Sequence, residues 1–391
     1  MTKKLKKVIL LYQTSRSHSR EILRGVAKYC QLCEPWLCFS PTPLFTDLYA
    51  NPGSLAWVKK IDPDGIIISN VTEDYDEIIA LGLPTIVHRI VGKPDGKFPT
   101  ILGKGQLFGK LVAEYLLDRG FQKLGYCGYR DYVPSQERCE GFVNRIKEAG
   151  FEPYLCNLPG SNARISLEKD IPAIVDWLKP LPKPLGVMAC TDEVSQNVAR
   201  ACRIAGLNVP EEVAIVGVAN DEIICELSQP PLSSLALNNE KAGYEAAQLL
   251  SKLMSGEEKM QGQAFYVQPK YVVTRRSTDI LTVEDAEVAK ALNYIRKNSR
   301  KTIQVTDVVN ATVLSRRSLE TRFKKIMGRS ILKEIRRRKI EEFTKLLLGT
   351  NMSISQIAAA LNAPNIDNIS RYFKSEKGMT PLAYRKQYGH Q

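Results

Sequence analysis

The chain has 391 residues, 44% apolar and 25% charged, with a formal net charge of +13. That composition is globular, and the length exceeds what one core organises, so two or three domains are expected. No run of eighteen apolar residues is present, which excludes a helical membrane span, and nine irregularly spaced cysteines exclude a disulfide framework.

The amino terminus, MTKKLKKVILLY, is basic and then apolar. Its apolar piece VILLY is short and no small-residue cleavage site follows, so it reads as a first buried strand and not as an export signal. A cytoplasmic location is expected. From there to about residue 270, short apolar runs alternate with amphipathic stretches. VILLY precedes SREILRGVAKYC, and GIIIS precedes EDYDEIIALG and PTIVH. GQLFGKLVAEYLLDRG precedes KLGYCG and SQERCEGFVNRIKEAG; PLGVMAC precedes DEVSQNVARACRIAG; VAIVGV precedes DEIICEL. Gly150 and Gly206 stop two of the helices. Strand–helix units of this kind predict mostly parallel sheets covered on both faces, enough for two doubly wound lobes.

In such sheets ligands bind beyond the carboxyl ends of the strands. That rule picks out Tyr12 to Arg20, Ser69–Asn70, His88–Arg89, the loop YRDYVPSQER, Thr191–Asp192 and Ala219–Asn220–Asp221. Within this set Arg20, Arg138, Asp192, Asn220 and Asp221 are the candidate ligand contacts, because a hydroxyl-rich ligand needs planar, two-pronged donors and acceptors. Asp192 has a second reading as the cap of the helix that follows it. Cys30, Cys33 and Cys38 form a C-x2-C-x4-C group, read as small buried residues near a helix end. No metal and no cofactor are expected. An enzyme is the rival use of this sheet. However, no G-x-G-x-x-G follows the first strand and there is no P-loop, so no catalytic activity is expected.

Residues 262–285 read as a last strand followed by a polar connector. Beyond them the pattern turns helical and the charge changes. Residues 281–391 carry 22 Lys/Arg and 10 Asp/Glu, a balance of +12, against +1 for the rest. Such a concentration predicts an anionic partner, double-stranded DNA, for this part alone. The expected domains are 1–275, a connector 276–285, and 286–391.

The basic part repeats itself at a spacing of about fifty. VTDVVNATVLSRRSLETRFKKIMGRS is echoed by ISQIAAALNAPNIDNISRYFKSEKGMT, with Leu319, Phe323 and Gly328 matched by Ile369, Phe373 and Gly378. One extra residue is expected between the two helices of the second copy. Each copy has the form of a helix-turn-helix, whose second helix enters the DNA major groove. Ser315, Arg316, Arg317, Thr321 and Lys324 are the candidate DNA contacts of the first copy, and Asn365, Asp367, Asn368 and Arg371 those of the second. Arg322 lies too near the apolar stripe to rank with them. Arg336–Arg338, between the copies, read as a solvated or ion-paired helix face.

The segments LNYIRKN, LSRRSLETRFKK, ISQIAAAL and YFKSEKGMTPLAYRK resemble the AraC family of transcription regulators over about residues 285–388. Where that family usually has Gly-Phe, the second copy has Asn362–Ala363 and then Pro364. The segments SREILRGVAKY, PDGIIIS, SQERCEGF, MACTDEVS, VAIVGVANDE and PPLSSLALN resemble a LacI-type sugar-sensing domain. The resemblance implies an α/β, two-lobed, periplasmic-binding-protein-like sensor domain followed by an all-α domain with two helix-turn-helix motifs. It implies a dimeric regulator of sugar catabolism, responsive to xylose or a related sugar, that uses Arg138 and Asp192 as sugar contacts. Ala219 stands where the resemblance implies an Asp. That leaves open whether Asn220 or Asp221 substitutes, whether the effector is not a pentose, or whether the ligand has been lost.

Overall fold

The computed structural model describes residues 5–41, 54–70, 74–89, 96–158, 167–280, 285–363 and 366–388. The first lobe is built from β1 (Lys6–Leu11), α1 (Ser17–Leu32), β2 (Trp36–Phe39), α2 (Leu55–Ile61), β3 (Gly65–Ser69), α3 (Tyr75–Ile79), β4 (Thr85–His88) and β5 (Thr100–Gly103). The chain then crosses to a second lobe through α4 (Gly105–Leu117), β6 (Lys123–Tyr129), α5 (Val133–Glu148), β7 (Pro153–Leu158), α6 (Leu167–Leu178) and β8 (Leu185–Ala189). α7 (Asp192–Ala205), β9 (Val213–Ala219), α8 (Glu222–Leu227) and β10 (Ser233–Leu237) complete that lobe's run. A second crossing returns α9 (Asn239–Ser255) and β11 (Ala264–Val267) to the first lobe, and a third places β12 (Pro269–Val273) in the second.

The sheets have the orders β11-β5-β4-β3-β1-β2 and β12-β10-β9-β8-β6-β7. Each strand pair is parallel except β10–β12. β3 and β8 are buried along their whole length, which is why they read as unbroken apolar runs. The expected single last strand is two: the chain leaves the first lobe's sheet at Val267 and enters the second's at Pro269. Gln268, between them, accepts a hydrogen bond from the Asn238 backbone N–H at 2.8 Å, tying two of the three crossings together.

In each lobe the first helix packs against the helix that follows a crossing, through glycines. A Cβ on Gly25 of α1 would sit 1.9 Å from the Glu240 carbonyl oxygen of α9, and one on Gly109 of α4 would sit 2.0 Å from the Arg138 carbonyl oxygen of α5. Neither helix pair can separate by a side chain's width without opening a void, so each moves as one body.

The carboxyl-terminal part consists of α10 (Ala286–Lys297), α11 (Val305–Asn310), α12 (Arg316–Met327), α13 (Ile331–Gly349), α14 (Ile354–Ala360), α15 (Ile366–Lys377) and α16 (Pro381–Tyr388). It has two small cores strung along α13. Ile331 and Ile335 join Leu319 and Phe323 in one, and Ile340, Phe343 and Leu347 join Ile369 and Phe373 in the other. The surplus residue of the second copy lies within its first helix, of 7 residues against 6. Asn362 takes a left-handed φ of 48°, a conformation that Gly or Asn adopts with least strain, so Asn there serves the turn where glycine is usual.

Within Arg336–Arg338 the two readings divide: Arg337 and Arg338 are ion-paired, while Arg336 is exposed and lies over the Tyr372 ring. Arg337 is 15% exposed and bonds Glu334 through two nitrogens, each at 2.9 Å, and also Asp118 at the end of α4. Burial alone would raise the Glu334 carboxyl, but Arg337, Arg338 and Arg329 hold it down at about 2.

Candidate ligand cleft and nucleic-acid interface

The carboxyl ends of both sheets face a common cleft. On the first lobe's side, β1, β3 and β4 deliver Tyr12, Ser69 and His88 to it, and the start of α1 adds His18. The rings of Tyr12 and His18 each stand 5.7 Å from that of His88, the latter edge to face. The Tyr12 hydroxyl, His18 Nε2, Ser69 Oγ and His88 Nδ1 are buried without a hydrogen-bond partner among the described residues. Burial pulls His18 down to about 4, with Arg16 and Arg138 adding to it, and pulls His88 down to about 3. Both rings are therefore neutral near pH 7, each presenting one donor and one acceptor.

On the second lobe's side, Arg138 of α5 donates one N–H to the Cys190 carbonyl, while its Nε is buried without a partner among the described residues. Asp192 is the first residue of α7, and the cap is its neighbour Thr191, whose hydroxyl accepts from the Val194 N–H at 3.3 Å. Both Asp192 carboxylate oxygens are engaged within the lobe. One accepts from the Ser234 hydroxyl and the other from the Asp221 N–H at 2.7 Å. Burial nonetheless pushes this carboxyl up to about 7. Gly217 makes room for it, since a Cβ there would lie 2.2 Å from Asp192 Oδ1.

The turn after β9 is sharp. Ala219 takes φ 112° and Asn220 φ 52°, both outside the ordinary range of L-residues. The turn rotates Asn220 away from the cleft, where its side-chain oxygen accepts from Arg275 at 2.9 Å. It leaves Asp221 between the lobes. One Asp221 oxygen accepts from the Ile224 N–H at 3.4 Å and so caps α8. The other accepts from the Ser17 N–H at 3.1 Å and from Arg20 at 3.4 Å. Arg20 further donates to the carbonyls of Thr14 and Ser15, each at 2.8 Å. Of the five candidates, then, Arg20, Arg138, Asp192 and Asp221 converge, Asn220 does not, and Arg138 alone keeps an unpaired buried polar atom there.

Sequence reasoning flagged the segments holding Tyr12, His18, Ser69 and His88 but ranked charged side chains above these neutral ones. The signal was available: each of the buried runs VILLY, GIIIS and PTIVH ends in a polar side chain.

In the basic part, Leu319 and Phe323 are fully buried, so α12 presents its other face outward. Ser315 caps α12 through the Ser318 N–H. Arg316 is exposed but ion-paired with Glu320 at 3.0 Å. Arg317 and Lys324 are exposed with no side-chain ion pair among the described residues, and Thr321 bonds back to the Arg317 carbonyl at 2.9 Å. Arg322 is held by Asp285, the cap of α10, at 3.2 Å. On α15, Asp367, Asn368 and Arg371 are exposed and Arg371 donates to Asn368. Asn365 and Pro364 lie outside the described residues. α13, at 19 residues, has a rise of about 28 Å, comparable to the spacing of roughly 34 Å between successive major grooves.

Two families match the chain: a periplasmic binding protein-like domain over residues 113–278 and a helix-turn-helix domain over 308–387. The xylose operon regulatory protein of Haemophilus influenzae is 30% identical over 98% of this chain and 99% of its own length. That of Escherichia coli K12 is 27% identical over 98% of each. A solved structure described as the xylose-binding transcription activator xylR superposes with a TM-score of 0.61 at 25% identity, covering both chains completely.

Proposed function

The chain belongs to the family of xylose operon regulatory proteins, and from that premise we propose that it senses D-xylose in the cleft between its two lobes and transmits the result to DNA through α12 and α15. It is a sugar-responsive helix-turn-helix transcription regulator, with a double-stranded DNA partner and a small-molecule effector. We assign it no catalytic step, a cytoplasmic location, and a homodimeric form.

The observation that carries the reading of the cleft is the set of unpartnered buried atoms on Tyr12, His18, Ser69, His88 and Arg138. Each buried polar group left unpaired costs about 1–3 kcal/mol, and a bound polyol satisfies the set at once. A sensor that had lost its ligand would have no reason to keep them, which disfavours that alternative. Asp221 stands as the acid that Ala219 does not supply. The sensing domain is assigned to residues 1–275, the connector to 276–285 and the DNA-binding domain to 286–391. Arg316, Arg317, Thr321 and Lys324 are the assigned contacts of the first motif, with Ser315 at its helix cap. Asn365, Asp367, Asn368 and Arg371 are those of the second.

The test is thermal unfolding of the full chain against D-xylose, L-arabinose, D-ribose, D-glucose and D-glucuronate. A concentration-dependent rise with D-xylose and a smaller one with the others is expected. No rise with any sugar would remove the sensing role from this cleft.

A further inference from the structure

α4 joins the cleft to the DNA-binding domain. Its first turn lies against α5 beside Arg138, where Gly105 and Gly109 leave no room for a side chain. Its 13 residues rise about 20 Å away from the cleft and end at Asp118 and Arg119. Those two residues grip two different things.

Asp118 forms an ion pair with Arg329 at 3.2 Å and accepts a hydrogen bond from Arg337, which come from the start and the middle of the α13 region. Behind them Glu334, fully buried, bonds Arg329 at 2.6 Å, Arg337 at 2.9 Å and Arg338 at 2.9 Å, and Glu341 bonds Arg338 at 3.1 Å. Three arginines thus face three carboxylates, and the third carboxylate comes from the other domain. Arg119, buried, donates to the Thr278 carbonyl at 3.2 Å and the Thr274 hydroxyl at 3.1 Å, so the residue after Asp118, just past the end of α4, holds the start of the connector. Beside this contact, between α4, β12 and α13, a cavity of about 320 Å³ is lined in part by Tyr115, Tyr271, Arg338 and Thr344.

We propose that Asp118 is the positioning residue through which closure of the ligand cleft sets the pose of the two helix-turn-helix motifs. A buried ion network is a poor general source of stability, since desolvation offsets much of its attraction, but it fixes geometry sharply and is intolerant of a missing member. The cavity beside the network, lined in part by Arg337 and Arg338, leaves these side chains room to exchange partners without a charge going unpaired, which a packed apolar seam would not. α13 carries apolar anchors of both small cores, so a shift transmitted at Arg337 moves both motifs together. The α4–α5 glycine contacts make the Arg138 backbone and Asp118 parts of one rigid body, so a displacement at the cleft is carried to the Asp118 contact.

The inference rests on the proposed sugar response, and the experiment separates the two. The full chain and its variants D118N, D118E, R337Q and D118N/R337Q are titrated onto a DNA duplex selected in vitro by the wild-type chain, with and without saturating D-xylose. The wild-type affinity ratio is expected on the order of 5–150-fold, the usual size of such couplings. D118N and R337Q should bring it close to 1, D118E should restore most of it, and the double variant should be no worse than either single one. Simple destabilisation would lower both affinities alike and leave the ratio standing. An unchanged ratio in D118N and R337Q overturns the proposal. If the wild-type chain shows no response to D-xylose, the effector assignment fails by itself. Hydrogen exchange of residues 331–345 without ligand then decides the present point: faster exchange in D118N supports the clamp, and unchanged exchange overturns it.

Discussion

Arg20 and Asp221 meet across the cleft at 3.4 Å, one from each lobe, and the same carboxylate oxygen takes the Ser17 N–H at the start of α1. A second cross-lobe pair, Arg16 with Glu193 at 4.0 Å, stands nearby. Besides its proposed place in the sugar site, Asp221 therefore bridges the two lobes and caps α8. Asp221→Ala should cost about 1 kcal/mol of stability from the lost cap and a further 0.2–1 kcal/mol of closure from the lost pair. The second effect reads as weaker D-xylose binding in calorimetry. Arg20→Ala, removing only the pair and its loop contacts, should weaken binding less. Equal sugar affinity in wild type and Asp221→Ala would show that the latch does not act on closure.

Arg138 is the cationic side chain of the cleft that leaves a buried N–H unpaired among the described residues. A charge-assisted hydrogen bond to a sugar hydroxyl is worth about 1.5–3 kcal/mol. Arg138→Ala should lower D-xylose affinity by roughly 10- to 150-fold while leaving the far-ultraviolet circular dichroism intact. Loss of less than threefold would place the guanidinium outside the site.

What the sequence revealed and what it hid divide by range. GIIIS and VAIVGV announce buried parallel strands because both faces of such a strand are covered, a local consequence of the fold. The repeat around Leu319–Phe323 and Ile369–Phe373 is legible for the same reason: four residues are one helical turn. The split of the last strand at Gln268 is not legible, since it depends on a hydrogen bond to Asn238 from another crossing. Nor is the role of Arg337, whose partner Asp118 lies 219 residues away in the chain. Asn220 looked like a ligand because it follows a strand, and only the strained φ angles at Ala219 and Asn220 turn it toward Arg275.

The two cleft histidines give the ligand-free protein an acid-sensitive stability. Their folded values, about 4 for His18 and about 3 for His88, lie below the ordinary 6.5. The unfolded chain therefore binds protons that the folded one refuses, and stability present above pH 6.5 is lost as the pH falls toward 4. Asp192 works in the opposite sense: its carboxyl, raised to about 7, favours the folded state as the pH drops from 7 toward 4. Two groups outweigh one, so the melting temperature should fall by several degrees, at about 2–4 °C per kcal/mol or less for a chain of this size, between pH 7 and pH 4.5. His88→Gln should flatten that fall, and Asp192→Asn should steepen it. A melting temperature that rises on acidification would contradict the assignment of neutral imidazoles.

On α12 the pairing of each basic side chain ranks its expected effect on DNA binding. Arg317 is exposed and without an ion pair among the described residues, so it reaches a base edge or a phosphate without breaking anything. Arg317→Ala should cost about 1–3 kcal/mol in affinity for the selected duplex and relax specificity at one position. Arg316 must first leave Glu320, so Arg316→Ala should cost less, and Glu320→Ala should strengthen binding slightly. Lys324, nearer the end of the helix, suits a phosphate; Lys324→Ala should weaken binding to all sequences alike and reduce the salt slope by about 1. Arg322 is already committed to Asp285 at the cap of α10, so Arg322→Ala should leave the DNA slope unchanged and loosen the domain instead. Gel-shift titrations at several salt concentrations measure all five variants. A larger loss for Arg322→Ala than for Arg317→Ala would reverse the orientation assigned to the helix, because the face carrying Asp285's partner would then be the one that meets DNA.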